Sequence, residues 1–428
     1  MYKTRQAASR VSLKIKREKV KTNQLTIFSI LLAIVIEVMG MGLFMPLLPN
    51  LFWNASSPLL SPDTSYFWRQ MAYGMSFGFW AIGIFFGAPF LGDVSDRIGR
   101  KKVLVISLLC VMLSYFLSYF SLVLGSCTLF MVSRFTSGFF ASSFPIAQAI
   151  IVDTSPEKLR ARNLGWVTLA ASIGIVIGPF LSGISYQIGG NAYGAQIAFL
   201  LATVLALLNS ISVACLLKET MTVRSSRPIR LLNVVSSCRF AFTDKRIRYL
   251  TFIFFILSTL WACYFQGISV LLSEHFKQGP VAISWFYTLC GAGFFIMTVF
   301  IQPNLLKRFP LKGLGMAGMI GMVIFFGAGL VFPKLTTQWI GVFFGCMAEC
   351  LCYTVLMTLF SQQVSSDEQG RVMGGVGATF GLTWGVISPL IGVLLGVDIF
   401  LPIILSVLFA VFGFFLMMQL KPKTPEAI

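Results

Sequence analysis

Three ionisable residues stand where the chain offers them the least water. Glu37 lies in the run LLAIVIEVMGMGLFMPLLP and Glu349 in CMAECLCYTVL, beside Cys346, Cys350 and Tyr353, each about 12 residues into an apolar stretch. Arg134 lies in SRFTSGFFASSFPIAQ. If these stretches cross a bilayer as helices, about 12 residues correspond to about 18 Å, near the middle of a ~30 Å hydrocarbon layer. A charge there is costly, so it should face a bundle interior. A carboxyl group in such surroundings can exchange a proton as its exposure changes. The competing reading of each glutamate is a protonated side chain that serves as hydrogen-bonded structural glue. Arg134 also has two readings, a side chain that snorkels outward or a partner of Glu37 released when that group protonates. Gln148 and Asp153, further along the same stretch, would line one mouth of the bundle. Trp261, Tyr264, Phe265 and Gln266, with Trp384, would form an apolar wall carrying a few polar handles; lipid anchoring and ordinary packing are the alternative for these rings.

The elements that must hold these groups follow from composition. Of 428 residues, 57% are hydrophobic and 11% charged, far below the charge content of a soluble domain. Twelve apolar runs of spanning length fit at 25–49, 70–91, 103–124, 128–151, 164–187, 195–217, 249–272, 281–301, 313–332, 337–361, 371–396 and 400–420. The fold class is therefore all-α integral membrane, with both termini on one side. Residues 1–24 read as a retained basic tail, because the run after them is too long for a signal peptide and contains Glu37. Of the 33 lysines and arginines, all but Arg69, Arg134, Lys277 and Lys334 fall on the side of the termini, which predicts that this side is cytoplasmic. The net charge of +18 is then a bias towards anionic lipid, and nucleic-acid binding is not needed to explain it.

The longest polar interruption, 218–248, separates residues 25–217 from 249–420, and 421–428 form a second tail. An amphipathic surface piece is expected around Ile229–Phe242, with a flexible basic linker as the alternative. Residues 155–183 are echoed by 366–396, each running from an acidic loop through Arg-x-x-Gly to a glycine-spaced apolar stretch and a proline. Duplicated halves suit a transporter. The nine cysteines sit mostly within apolar runs and the single histidine, His275, has no ligand cluster around it. Neither a disulfide framework nor a metal site is expected.

Between the second and third runs stands GDVSDRIGRKK. It resembles the loop between helices 2 and 3 of the major facilitator superfamily, G-x-x-x-D-[RK]-x-G-R-[RK]-[RK], with Gly92, Asp96, Arg97, Gly99, Arg100, Lys101 and Lys102 in every specified position. A basic turn would explain the cations but not the spaced Gly and Asp. In the fifth run Gly165, Gly174, Gly178, Pro179, Ser182 and Gly183 resemble the G-x8-G-x3-G-P-x2-G-G motif of the drug/proton antiporter branch, departing from it only at Ser182. Helix packing alone is the other reading of this stripe. Glu37, Gly40, Gly42, Pro46 and Pro49 are similar to the first span of tetracycline/proton antiporters, although the acidic position there is usually Asp. Arg134 and Gly138 resemble the family's R-x-x-x-G in span 4.

The resemblance implies two pseudo-symmetric six-helix bundles around a central cavity, working by alternating access. It implies proton-coupled export of a small organic compound, with an acidic role for Glu37 and residues 92–102 as a gate element contacting span 11; Glu349 and Arg134 join Glu37 as coupling candidates by their depth in apolar spans. No cofactor beyond a proton gradient is expected, and the partners are a small-molecule substrate and the lipid bilayer, with a monomer as the working unit, in a bacterial inner membrane. The rivals are a proton-coupled importer of a nutrient or metal chelate and a non-transporting receptor. The second gains nothing from mid-span carboxylates. An enzyme is disfavoured, since no histidine cluster, nucleophile elbow or phosphate loop is present.

Overall fold

Backbone polar groups inside a bilayer must be satisfied within their own segment, so apolar runs of this length become helices. The computed structural model describes residues 24–53, 57–141, 143–154, 157–220, 233–364 and 368–420. Within them the chain makes twelve crossings. Span 1 is Gln24–Phe44 continued by Leu47–Trp53, broken at Pro46, whose ring nitrogen has no proton to donate. Span 2 is Tyr66–Ile98, span 3 is Arg100–Leu124, and span 4 is Cys127–Phe140 followed by Ser143–Thr154. Ser126 opens span 4 by accepting a hydrogen bond from the Leu129 amide. Spans 5 and 6 lie within one helical stretch, Glu157–Leu216. A straight helix of that length would reach about 90 Å, three times a ~30 Å core. Gly190, at φ 58° and ψ −162°, supplies the reversal with a conformation other residues rarely adopt. The connection left between the fifth and sixth runs, 188–194, is thus helical but for Gly190.

In the second half, span 7 is Arg248–Glu274, and span 8 is Pro280–Ile296 carried through a π-helical turn at Met297–Ile301 into Gln302–Arg308. Spans 9 to 12 are Leu311–Val331, Leu335–Gln362, Gln369–Val397 and Leu401–Gln419. Among the described residues, ten stretches are individually long and apolar enough to cross a membrane. The two remaining crossings come from the reversal at Gly190 and from span 4, whose two helices are each short.

The connection at residues 92–102 differs from the expected loop. Span 2 remains helical to Ile98, span 3 begins at Arg100, and only Gly99 is non-helical, at φ 119°. A positive φ at one glycine turns the chain without an intervening loop. The helix Asn233–Thr243 is the described part of the expected surface piece and rests on the basic end of span 11, where a Cβ at Gly375 would meet Ala241 Cβ at 3.1 Å. Residues 1–23, 221–232 and 421–428, which include most of the expected tails and the start of that piece, lie outside the described residues.

The two halves meet along spans 2 and 11 and along spans 5 and 8. Small residues permit this. A Cβ at Gly74 would meet the Gly392 amide nitrogen at 2.9 Å, and one at Gly381 would meet Phe85 Cα at 3.0 Å. Pro389 of span 11 lies against Gly78 of span 2, across the halves, whereas Pro179 of span 5 lies against Gly42 of span 1, within the first half, so the two repeated prolines make different contacts.

Candidate functional site

In the first half, glycine lets an aromatic hydroxyl approach the acidic span. The Tyr115 hydroxyl of span 3 lies directly against Gly40, three residues from the half-buried Glu37. Tyr115 is in the field of both Glu37 and Arg134. Arg134 is fully buried, which removes the reading in which it snorkels outward. Its guanidinium carbon stands 4.4 Å from the Phe44 ring centroid, 5.6 Å from Phe130 and 5.8 Å from Phe199. One nitrogen, Nη2, donates to Ser118 Oγ at 3.5 Å, while Nε and Nη1 have no hydrogen-bond partner among the described residues. The structure does not join Arg134 and Glu37 in an ion pair. Three aromatic faces hold the cation instead, an interaction of about 2 kcal/mol or more when desolvated.

Glu349 is buried inside the second half, in the field of Cys350, Cys352 and Tyr353. Beside it, Cys350 Sγ lies 3.2 Å from Thr298 Oγ1, and Cys346 Sγ lies 3.0 Å from Cys290 Sγ. The two glutamates therefore belong to separate bundles.

Between the bundles runs a chain of rings. Phe44 lies 5.9 Å from Phe77, Phe77 6.4 Å from Trp384, and Trp384 6.3 Å from Phe265 and 5.3 Å from Phe380. This path joins the ring that holds Arg134 to the expected wall. Trp261 is half-buried beside Phe265 at 5.0 Å. Tyr264 departs from that wall: it stacks on Phe326 at 3.6 Å inside the second half, and packing is its role here. Trp384 Nε1 and Gln266 Oε1 are buried with no hydrogen-bond partner among the described residues. Buried polar atoms are rarely left so, and the Trp384 ring borders Phe77 of the other half. Gln148 is half-buried in span 4, and the Asp153 side chain lies outside what is described.

At the end opposite residues 92–102, polar contacts close the halves on each other. Tyr73 of span 2 donates to the Gln266 carbonyl at 2.8 Å and shares a hydrogen bond with Ser269 Oγ at 2.6 Å. Within the second half, Gln266 Nε2 donates to Ser388 Oγ at 2.8 Å. Ser284 Oγ of span 8 donates to Ser182 Oγ of span 5 at 3.3 Å, so the one departure from the span-5 motif makes a hydrogen bond between halves. Elsewhere in that motif, a Cβ at Gly174 would meet the Val35 carbonyl at 2.7 Å and one at Gly178 the Leu43 amide at 2.8 Å, whereas Gly165 faces open space.

The motif of residues 92–102 forms its described contacts within its own half. Arg100 Nη2 lies 3.4 Å from Asp96 Oδ1. The Arg100 amide donates to Glu219 Oε1 at 3.0 Å, beyond the end of span 6. Gly92 has nothing within 4 Å of a would-be Cβ, and Arg97 and Lys102 are exposed. The expected contact of Gly92, Asp96 and Arg100 with span 11 is not among these. In the second half, Arg246 bridges Asp244 Oδ2 at 2.9 Å and Glu368 Oε2 at 2.8 Å, and Arg371 caps the Phe240 ring at 3.8 Å.

The chain matches the family model described as Major Facilitator Superfamily over residues 30–271 and 250–428. It belongs to the major facilitator superfamily. Among relatives of this transporter is the tetracycline resistance protein, class C, of Escherichia coli, 27% identical over 356 residues, which cover 81% of this chain and 83% of that protein. Multidrug resistance protein 2 of Bacillus subtilis (strain 168) is 27% identical over 367 residues, covering 82% and 84%. Two solved structures share the fold: the human organic anion transporter MFSD10 (TETRAN), with TM-score 0.69 at 18% identity over 92% of this chain and 99% of that one, and a D-xylose-proton symporter, with TM-score 0.73 at 16% identity over 94% and 99%. The facilitator fold of two six-helix bundles thus accounts for the architecture, and a member of this family is a multi-pass membrane transporter, not an enzyme.

Sequence reasoning missed Tyr73, Tyr115, Phe44 and Phe77. The one available signal was the repetition of Ser and Tyr in SYFLSYFS of span 3, whose Ser118 meets Ser133 of span 4 at 2.8 Å.

Proposed function

We propose that this facilitator exports a small organic compound from the cytoplasm in exchange for protons, by alternating access between its two bundles. The observation that carries the reading is the group formed by half-buried Glu37, the Tyr115 hydroxyl and the fully buried, ring-held Arg134. A carboxyl group placed there changes its hold on a proton as the cavity opens and closes. Substrate and proton then compete, and each must weaken the other's binding reciprocally. The names of the sequence relatives, tetracycline and multidrug resistance proteins, favour export of an organic compound over import. Residues 25–217 and 249–420 act as the two moving bundles, with 218–248 joining them.

In this reading the substrate lies against Trp384, Trp261 and Gln266, whose unpartnered Trp384 Nε1 and Gln266 Oε1 offer one donor and one acceptor, and Gln148 lines the route to the cytoplasm. Glu349 carries a second proton or stabilises the second bundle. Gly92, Asp96, Arg97, Gly99, Arg100, Lys101 and Lys102 gate the cytoplasmic end, engaging span 11 when that end closes. Both termini are cytoplasmic, and the monomer in a bacterial inner membrane is the working unit.

Transport into inverted vesicles with an imposed pH gradient, using tetracycline as the first probe and then other amphipathic organic compounds, tests the proposal. Wild type is expected to accumulate a substrate only with an acidic lumen. Glu37→Gln, which mimics the protonated state, should abolish gradient-driven transport while substrate binding loses its pH dependence. Accumulation by this variant with an unchanged pH response would show Glu37 to be structural.

A further inference from the structure

A groove of about 560 Å³ opens on the perimeter of the first half, lined by Ile98, Val105, Ile106, Ala214, Gly99 and two lysines, Lys101 and Lys102, with Glu219 at its edge. It lies where spans 2 and 3 turn at Gly99 and where span 6 ends. The groove thus sits at the level where apolar helix gives way to charged chain, and none of the rings of the path between the bundles lines it. Ile98 and Ile106 are 40% and 49% exposed, so its walls are open to the surrounding bilayer. Glu219, the carboxylate that faces it, is already engaged by the amides of Arg100 at 3.0 Å and Thr220 at 3.1 Å. The lysines make no ion pair among the described residues.

From this arrangement we infer that the groove is a binding site for an anionic phospholipid of the leaflet on the basic side. The phosphate lies against Lys101 and Lys102, and one acyl chain fills the channel between Ile98, Val105, Ile106 and Ala214. The apolar walls select a molecule with a hydrocarbon chain, and the lysines select a negative head. Charge also argues against the chain's own first residues as occupant. Residues 1–23 carry Lys3, Arg5, Arg10, Lys14, Lys16, Arg17, Lys19 and Lys21 against the single acid Glu18, and they would be repelled by the same two lysines. A lipid seated there touches both sides of the Gly99 turn and the end of span 6, and so braces the connection between spans 2 and 3.

Native mass spectrometry of the full chain, released from detergent with added phosphatidylglycerol, reads the site directly. Wild type is expected to retain one phosphatidylglycerol in preference to phosphatidylcholine. The double variant Lys101→Gln/Lys102→Gln should bind it roughly 25-fold more weakly, about 1 kcal/mol for each lysine near an anionic surface. Ala214→Phe, which fills the channel and leaves the lysines in place, should also release the lipid. Both variants are checked for folding by thermal unfolding in the absence of lipid. Equal retention of phosphatidylcholine would overturn the proposal, as would unchanged phosphatidylglycerol binding in either variant. Displacement of the lipid by inorganic phosphate alone would show the site to hold a free anion. Binding that appears only after deletion of residues 1–23 would assign the groove to the chain's own tail.

Discussion

Removing the Tyr73 hydroxyl isolates the closure of the two halves on the side opposite residues 92–102. The ring itself is packed 4.5 Å from Trp53 and 5.3 Å from Phe77, and Tyr73→Phe leaves that packing in place. Three oxygens meet here: Tyr73 donates to the Gln266 carbonyl at 2.8 Å, shares a hydrogen bond with Ser269 Oγ at 2.6 Å, and Ser269 Oγ lies 3.0 Å from the same carbonyl. Two hydroxyl hydrogens serve this triangle, so it holds two bonds at a time. Phenylalanine leaves one, from Ser269 to Gln266, and the net loss is a single bond of about 0.5–1.5 kcal/mol. When the halves part, the tyrosine hydroxyl is hydrated, so the loss falls on the closed state. The ratio of closed to open should drop about two- to twelvefold. Electron–electron distance measurements between spin labels at Asp63 and Val397, in a background with the nine native cysteines replaced, read that ratio. Both label sites are exposed. An unchanged distance distribution in Tyr73→Phe, or one shifted towards the closed distance, would refute the latch.

Gly178→Leu pushes a side chain into the Met39 carbonyl and the Leu43 amide, 2.8 Å from a would-be Cβ, where overpacking costs about 1–3 kcal/mol; transport should collapse in a protein that still inserts, while Gly165→Leu, facing open space, keeps its thermal stability. Arg134→Met exchanges a desolvated cation held by three rings for a shorter, unbranched apolar chain. Thermal stability should move by less than about 2 kcal/mol, because the lost cation–π energy is offset by the removed desolvation cost, and the pH dependence of transport should disappear; a variant that transports with wild-type pH dependence removes Arg134 from coupling. At the basic end, the hydrogen bond from Arg246 holds the Asp244 carboxyl below the usual carboxylate value. A depressed folded pKa contributes stability that is present above the unfolded value and lost as pH falls through the folded one. Amide exchange of residues 244–248 should therefore stay slow through neutral and mildly acidic pH and rise only below the ordinary aspartate range, whereas Arg246→Gln should raise it at higher pH.

Much of the scaffold was legible in the sequence because a bilayer leaves few choices. A run of about 20 apolar residues must satisfy its own backbone, and so becomes a helix. Pro46 breaks the first span for want of an amide proton, as its type predicts. The family resemblance at residues 92–102 and in span 5 was legible too, since glycine spacing survives as a one-dimensional pattern. The turn itself was not. A charged stretch of eleven residues reads as a loop, yet the helices run up to Gly99 from both sides, because one residue at positive φ suffices to reverse direction.

The candidate site divides along the same line. Residue type and depth alone marked Glu37, Glu349 and Arg134 as groups that must turn inwards, since the cost of a charge in hydrocarbon does not depend on its neighbours. Which neighbours receive them is a tertiary matter. Arg134 is met by Phe44, Phe130 and Phe199 from spans 1, 4 and 6, and the carboxylate expected to pair with it only shares the field around Tyr115. Tyr264 and Trp384, equivalent as aromatic residues in apolar runs, end respectively inside one bundle and between the two. In a soluble helix the polar face would have told them apart, but a membrane helix is apolar all round and its sequence period does not distinguish a lipid-facing ring from a buried one. Only the approach of the helices, set by glycine contacts such as those of Gly74 and Gly178, decides which rings look into the path and which of their polar atoms are left without a partner.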